Sequence, residues 1–397
     1  MNTLKVGRRS AFLYSLTFLA LLQAGCAVEP DDQFGEEDPT TSQEALGGDP
    51  DLIPLEEAKS LATGLLAKEA ATSRVRQIKD QHVERENDVP VLYVFNFTEG
   101  GFAVVSADKR QAPVLAYADK GSFDMRALRD GALPEGVAEW MEHAREVTRD
   151  IRSGRTAALS DRKTYERFKA DTTQNIEIPG GGGPCSGSYT NTKQLNMPAQ
   201  WNQGCGYNDE APLASGGPCG RAWAGCVAVA MGQVMKYYQY PGGYNWAGMY
   251  NYSSTPDTAH LLRDVGNSVG MSYGANGSGA SMGSIDNALE NFGYSTSAEH
   301  TSYGFWKVRD EIIANRPVIM SGTKDCDFLG FPTCSGHAWV VDGYKESFYC
   351  ETQVYYNYLR NNWGWGGNYD GWYYDYKLNP GGKDYSYHNE LIIGIKP

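Results

Sequence analysis

The chain has 397 residues, 21% of them charged, with a net charge of -13. That length suggests two or three domains of about 100 to 200 residues each. An acidic balance with no basic stretch to offset it sets aside nucleic acid, whose phosphates it would repel.

Lys5, Arg8 and Arg9 precede an apolar segment over residues 11–22, and the small residues Ala24 and Gly25 follow. This is the pattern of a secretory signal over residues 1–25, too short to span a bilayer comfortably. Export places the protein outside the cell or on its surface. Cys26 directly after Ala24-Gly25 resembles the acylated cysteine of bacterial lipoproteins, a lipid anchor, although Gln23 stands where such signals prefer leucine. Residues 26–51 are acidic and poor in large apolar side chains, so they read as a disordered tether.

From residue 54 to 83 the spacing is helical, with Leu61, Leu65 and Leu66 on one face. The period then changes. "VLYVFNF" (91–97), the turn "TEGG" and "FAVVSA" (102–107) read as a hairpin, and "APVLAYA" (112–118) as a third strand. Val137, Trp140, Met141 and Ala144 recur at helical spacing within residues 136–151. Residues 52–160 therefore form a small domain of helices flanking an antiparallel sheet. Residues 161–187 are charged and then carry the run "PGGGGP", whose backbone entropy disfavours any regular element, so they read as an interdomain linker open to proteolysis. Residues 188–397 turn rich in Tyr, Trp and Gly and form the second domain, giving an α+β protein.

Eight cysteines occur, and setting Cys26 aside leaves seven: Cys185, Cys205, Cys219, Cys226, Cys326, Cys334 and Cys350. In an oxidising compartment six can pair, which leaves one thiol to explain. The pairing is not fixed by sequence; a bridge between Cys326 and Cys334 closing a small loop is one expectation. No Cys-x-x-Cys is present, so neither metal nor cofactor is expected.

Cys226 stands between Gly225 and the apolar helix "VAVAMGQVMKYY", at a helix N-terminus that should lower its pKa. Among the histidines beyond the linker, His337 opens the alternating stretch "HAWVVDGY" and is the candidate base. Asn362 offers an amide oxygen to orient the ring, Trp363 an indole to shield that bond, and Gln203 a side-chain donor to an oxyanion. A buried structural cysteine and an aromatic core are the plainer readings of Cys226 and Trp363.

"NQGCGYN" (202–208), "GCVAVAMGQVMKYYQYP" (225–241), "NFGY" (291–294), "GHAWVVDGY" (336–344), "NWGWGG" (362–367) and "IIGIKP" (392–397) resemble, in the same order, the streptopain family of secreted bacterial cysteine peptidases. Residues 93–123 resemble its propeptide. The resemblance implies a papain-like catalytic domain, Cys226 as nucleophile, His337 as general base, Gln203 in the oxyanion hole, and Asn362 with Trp363 supporting the histidine. It also implies that residues 52–160 are an inhibitory prodomain removed by cleavage, and that the substrates are proteins or peptides. Two insertions, residues 324–334 and 350–360, are expected to lie beside the catalytic loops and reshape the cleft. An enzyme transferring acyl groups through the same pair, and a secreted binding protein with an inactive site, are the alternatives.

Overall fold

The structure is a computed structural model describing residues 49–70, 75–173, 187–323, 336–376 and 389–397. The signal, nearly all of the tether, Cys26, Cys185, Cys326, Cys334 and the glycine run lie outside the described residues, as does the first insertion. Helix α1 (Leu55–Glu69) starts after Pro54, carries Glu56 and Glu57 in its first turn and Lys68 in its last, and buries Leu61, Leu65 and Leu66. The charges complement the helix dipole.

The expected helix stops short, because Ile78–Glu86 is strand β1. Asn87 and Asp88, both at positive φ, make a two-residue turn into β2 (Val89–Phe97). Polar β1 is held from outside itself: Glu84 pairs with Arg145 at 2.8 Å and Glu86 with Arg149 at 2.8 Å. Strands β3 (Phe102–Ser106) and β4 (Val114–Ala118) complete an antiparallel meander. A short α2 (Met125–Arg129) is capped by Asp124, and α3 (Val137–Arg152) buries Val137, Met141, Ala144, Val147 and Ile151.

Part of the segment expected to be a linker is regular structure. Arg162–Thr173 forms helix α4, which packs on α1 and buries Tyr165 and Phe168. The Tyr165 hydroxyl donates to Glu57 at 2.6 Å, and Lys169 pairs with the same carboxylate at 2.7 Å. Two aromatic residues among twelve are too sparse a stripe to reveal this helix without its partner.

The second half contributes β5 (Ser188–Gln194), α5 (Cys226–Tyr238), α6 (Pro256–Ser268), α7 (Ile285–Asn291), β6 (Glu299–Ser302), α8 (Phe305–Ile313), β7 (Val318–Thr323), β8 (Gly336–Tyr349), β9 (Val354–Asn362), β10 (Gly371–Tyr374) and β11 (Glu390–Ile393). The sheet order is β1-β2-β3-β4-β10-β9-β8-β7-β11-β6, with β5 on β8. The two halves thus share one sheet, joined where Ala116 and Tyr117 of β4 face Tyr373 and Trp372 of β10. One apolar cluster runs through this junction, and a second surrounds α5, α6 and α7. The α+β assignment holds.

Polar contacts cover the same junction. Lys345 on β8, only 6% exposed, places its ammonium against Glu69 and the Tyr117 hydroxyl. The second insertion reaches both places: Glu351 meets Lys163 of α4 at 2.9 Å and Tyr356 meets Ser160 at 2.6 Å, while Leu359 near its end lines a cavity with Trp363 and Tyr373.

Candidate active site

Gly225 precedes α5 at φ 94, and a Cβ there would lie 2.6 Å from the Met271 methyl, so only glycine fits. It delivers Cys226 as the first helical residue. Cys226 is the free cysteine among the described residues; Cys205 and Cys219 are bridged to each other, and Cys350 is also disulfide-bonded. Backbone N–H groups of Ala338 and Val227 reach its sulfur. Burial nevertheless pushes the thiol up, and the nearby Glu135 carboxylate adds to that. This corrects the expected depression: the desolvation cost of a thiolate exceeds what helix N–H groups return.

His337, second residue of β8, is 3% exposed. Its Nε2–H donates to the Trp363 carbonyl at 2.7 Å, and the ring stacks on Trp365 at 5.1 Å between centroids. Burial lowers its pKa to about 4. Neither Cys226 nor His337 is charged near neutral pH, and no bond between them is present among the described residues.

Glu135 and Gly136 come from the first domain, at the start of α3. A Cβ on Gly136 would stand 2.9 Å from both His337 Cδ2 and Trp363 Cζ3. Backbone of the first domain therefore lies directly on the histidine. Beside it, a cavity of about 100 Å³ is lined by Trp140 and His143 of α3 facing Met320, Trp339, Trp363 and Tyr373.

The Gln203 carbonyl accepts from the Ala224 N–H at 2.9 Å, tying it to the residues before Cys226. Its Nε2 is buried with no partner among the described residues, a donor held without an acceptor. Asn362 does not orient the ring here: its Nδ2 donates to the Ala199 carbonyl at 2.8 Å and its Oδ1 accepts from the Gly364 N–H at 3.3 Å. Trp363 does flank the imidazole, at 6.3 Å between centroids. Sequence reasoning missed Asp370, whose Oδ1 accepts from the Trp363 N–H at 2.9 Å. Its one available signal was an acidic residue inside an otherwise uncharged turn. Histidines 260 and 300 lie elsewhere, partly exposed, beside Glu210 at 3.3 Å and Glu390 at 3.2 Å.

The depressed histidine value has a definite consequence for stability. The unfolded ring takes up its proton near 6.5 and the folded ring near 4, so the stabilisation is complete above 6.5 and is lost as pH falls between those values. At about pH 5 this ring alone costs the folded chain ~2 kcal/mol. Urea unfolding at about pH 7.5 and pH 5 should show a fall in stability that shrinks by that amount in His337→Phe; equal falls in both proteins would exclude a buried neutral ring.

The Peptidase C10 family model matches residues 201–253 and 242–373, and that of the Spi protease inhibitor matches residues 50–146. Streptopain of Streptococcus pyogenes serotype M1 is 28% identical over 408 residues, covering 86% of this chain and 91% of that protein. The thiol protease/hemagglutinin PrtT of Porphyromonas gingivalis is also 28% identical, over 79% of this chain and 38% of its own length. Among solved structures, a fragment of Prevotella intermedia prointerpain A superposes with a TM-score of 0.54 at 24% identity, over 80% of this chain and all of that one.

Proposed function

Because the chain belongs to the peptidase C10 family, that of streptopain, and carries an inhibitor-type domain ahead of the peptidase, we propose that it is a secreted cysteine endopeptidase kept latent until residues 134–136 leave its histidine. The observation that carries this reading is the contact of Gly136 with His337 and Trp363. With the prodomain gone, water reaches both groups and the cost of charging them falls. The Cys226 proton passes to His337, and the thiolate attacks the carbonyl carbon of a peptide bond. The oxyanion accepts from Gln203 Nε2, which has no partner among the described residues, and from the Cys226 N–H. His337 protonates the departing amine. Water then gives its proton to His337 and cleaves the thioester, releasing the acid and restoring the thiol. In that open state Nδ1 of His337 exchanges the Cys226 proton, and the Asn362 amide oxygen, released from Gly364, shares the Nε2–H with the Trp363 carbonyl while the Trp363 indole covers the bond.

Export and a lipid anchor at Cys26 belong to the same proposal and rest on residues 1–26. The maturation bond is assigned to residues 174–187, between the end of α4 and the start of β5, because cleavage within packed α4 would require unfolding it. Intact chain is expected to leave casein uncut and to gain activity on cleavage in this window, with the new N-terminus read by mass spectrometry. Equal activity of intact and trimmed forms refutes latency.

A further inference from the structure

Asp370 takes no part in the steps above, yet its carboxyl is 5% exposed and lies one residue from the machinery. Oδ1 holds the Trp363 N–H at 2.9 Å, while the carbonyl of that same residue holds His337 Nε2 at 2.7 Å. The Trp363 backbone therefore has the carboxyl on one side and the imidazole on the other. The intervening turn contains Gly364, Gly366 and Gly367 at φ 75, 69 and 82, with Tyr369 at 64. Such a turn has many alternatives unless something pins it. Asp370 Oδ2 is buried with no partner among the described residues, which makes the carboxyl costly to keep for packing alone.

We propose that Asp370 is a positioning residue for His337, pinning the Trp363 peptide so that the carbonyl of Trp363 and the amide of Asn362 meet the ring at fixed places. This rests on the peptidase reading. The groups facing Asp370 are Arg360 on β9, already bound to Asp342 at 2.6 and 2.8 Å, Asp342 on β8, which repels it, and Tyr373 on β10, whose hydroxyl donates to the Tyr369 carbonyl. All belong to the second half and persist after the prodomain leaves. Burial raises the carboxyl to about 7. Below that value the neutral acid is the weaker acceptor and leaves a proton without a partner; above it the carboxylate grips the N–H and favours a protonated imidazole.

The test uses full-length chain matured by cleavage, assayed for kcat and KM on a peptide substrate from about pH 5 to pH 9. Asp370→Asn keeps an acceptor for the Trp363 N–H but cannot ionise. The native enzyme should show a rise in kcat through neutrality and Asp370→Asn should lack it, with KM within about twofold. Asp370→Ala should lose about tenfold in kcat, again with little change in KM, as one hydrogen bond of positioning predicts. A purely structural carboxyl would instead lower the melting temperature of both variants and leave the pH profile in place, which overturns the proposal. Should Asp370→Ala fail to fold, the Asp370→Asn profile decides. Cys226→Ala in the same assay separates the two ideas: residual cleavage there sinks the peptidase reading, whereas Cys226-dependent cleavage with a native profile in Asp370→Asn sinks only this one.

Discussion

Cys226→Ala is expected to remove casein hydrolysis down to background, a loss of at least about 10⁴-fold in kcat. No other described cysteine is free to replace it, since Cys205, Cys219 and Cys350 are all in disulfides. Gln203→Ala sets the contrast. It removes one of two oxyanion donors and leaves the nucleophile, so its loss should be about 10²- to 10³-fold and measurable. The order matters more than either value. A variant ranking with Gln203 below Cys226 would mean that the glutamine does something other than bind the developing charge. Cys226→Ala precursor should also accumulate unprocessed where the native chain trims itself, while an added protease still cuts it. Undiminished turnover in Cys226→Ala would end the proposal.

Residues whose neighbours in sequence are also their neighbours in space were the legible ones. Gly225 and the run after Cys226 announce a helix start, and "HAWVVDGY" announces the strand that carries His337. The hairpin over residues 91–107 and helix α3 were equally plain, because each buries a periodic face. The helical spacing over residues 54–83 runs on into strand β1, whose polar face makes sense only through Glu84 and Glu86, paired with Arg145 and Arg149 some sixty residues away. Helix α4 was hidden for the same reason, its aromatic pair being meaningful only against α1. A helix terminus is local and points to a lowered Cys226 pKa; the burial that overrides it comes from tertiary packing, and the Glu135 carboxylate of the first domain adds to the rise. The shared sheet was likewise invisible: nothing in "APVLAYA" distinguishes a strand ending its own meander from one that also pairs with residues 372 and 373.

Gly136→Val should turn the precursor partly active without cutting it. At φ 78 a β-branched residue is strained before any neighbour is considered, and its Cβ would press into His337 and Trp363 at 2.9 Å. Neither ring can yield easily, since His337 is stacked against Trp365 and Trp363 packs edge-on against Tyr373 at 5.1 Å. Overpacking of this kind costs about 1–3 kcal/mol, and the strain adds roughly 1–3 kcal/mol more. Each 1.4 kcal/mol is about tenfold in an equilibrium. The β4–β10 pairing and the Lys345 cluster stay in place, so the expected outcome is local withdrawal of the 134–136 turn. Intact Gly136→Val chain should then cleave casein at least about tenfold faster than intact native chain. After cleavage the two should be equal, because residue 136 has left with the prodomain. Gly131→Val is the control, since it carries the same backbone strain at φ 65 but meets nothing within 4 Å. If Gly131→Val opened the precursor as well, general destabilisation of the prodomain would be the cause. If Gly136→Val folded and stayed as silent as the native precursor, the contact on His337 would not be what holds the enzyme off.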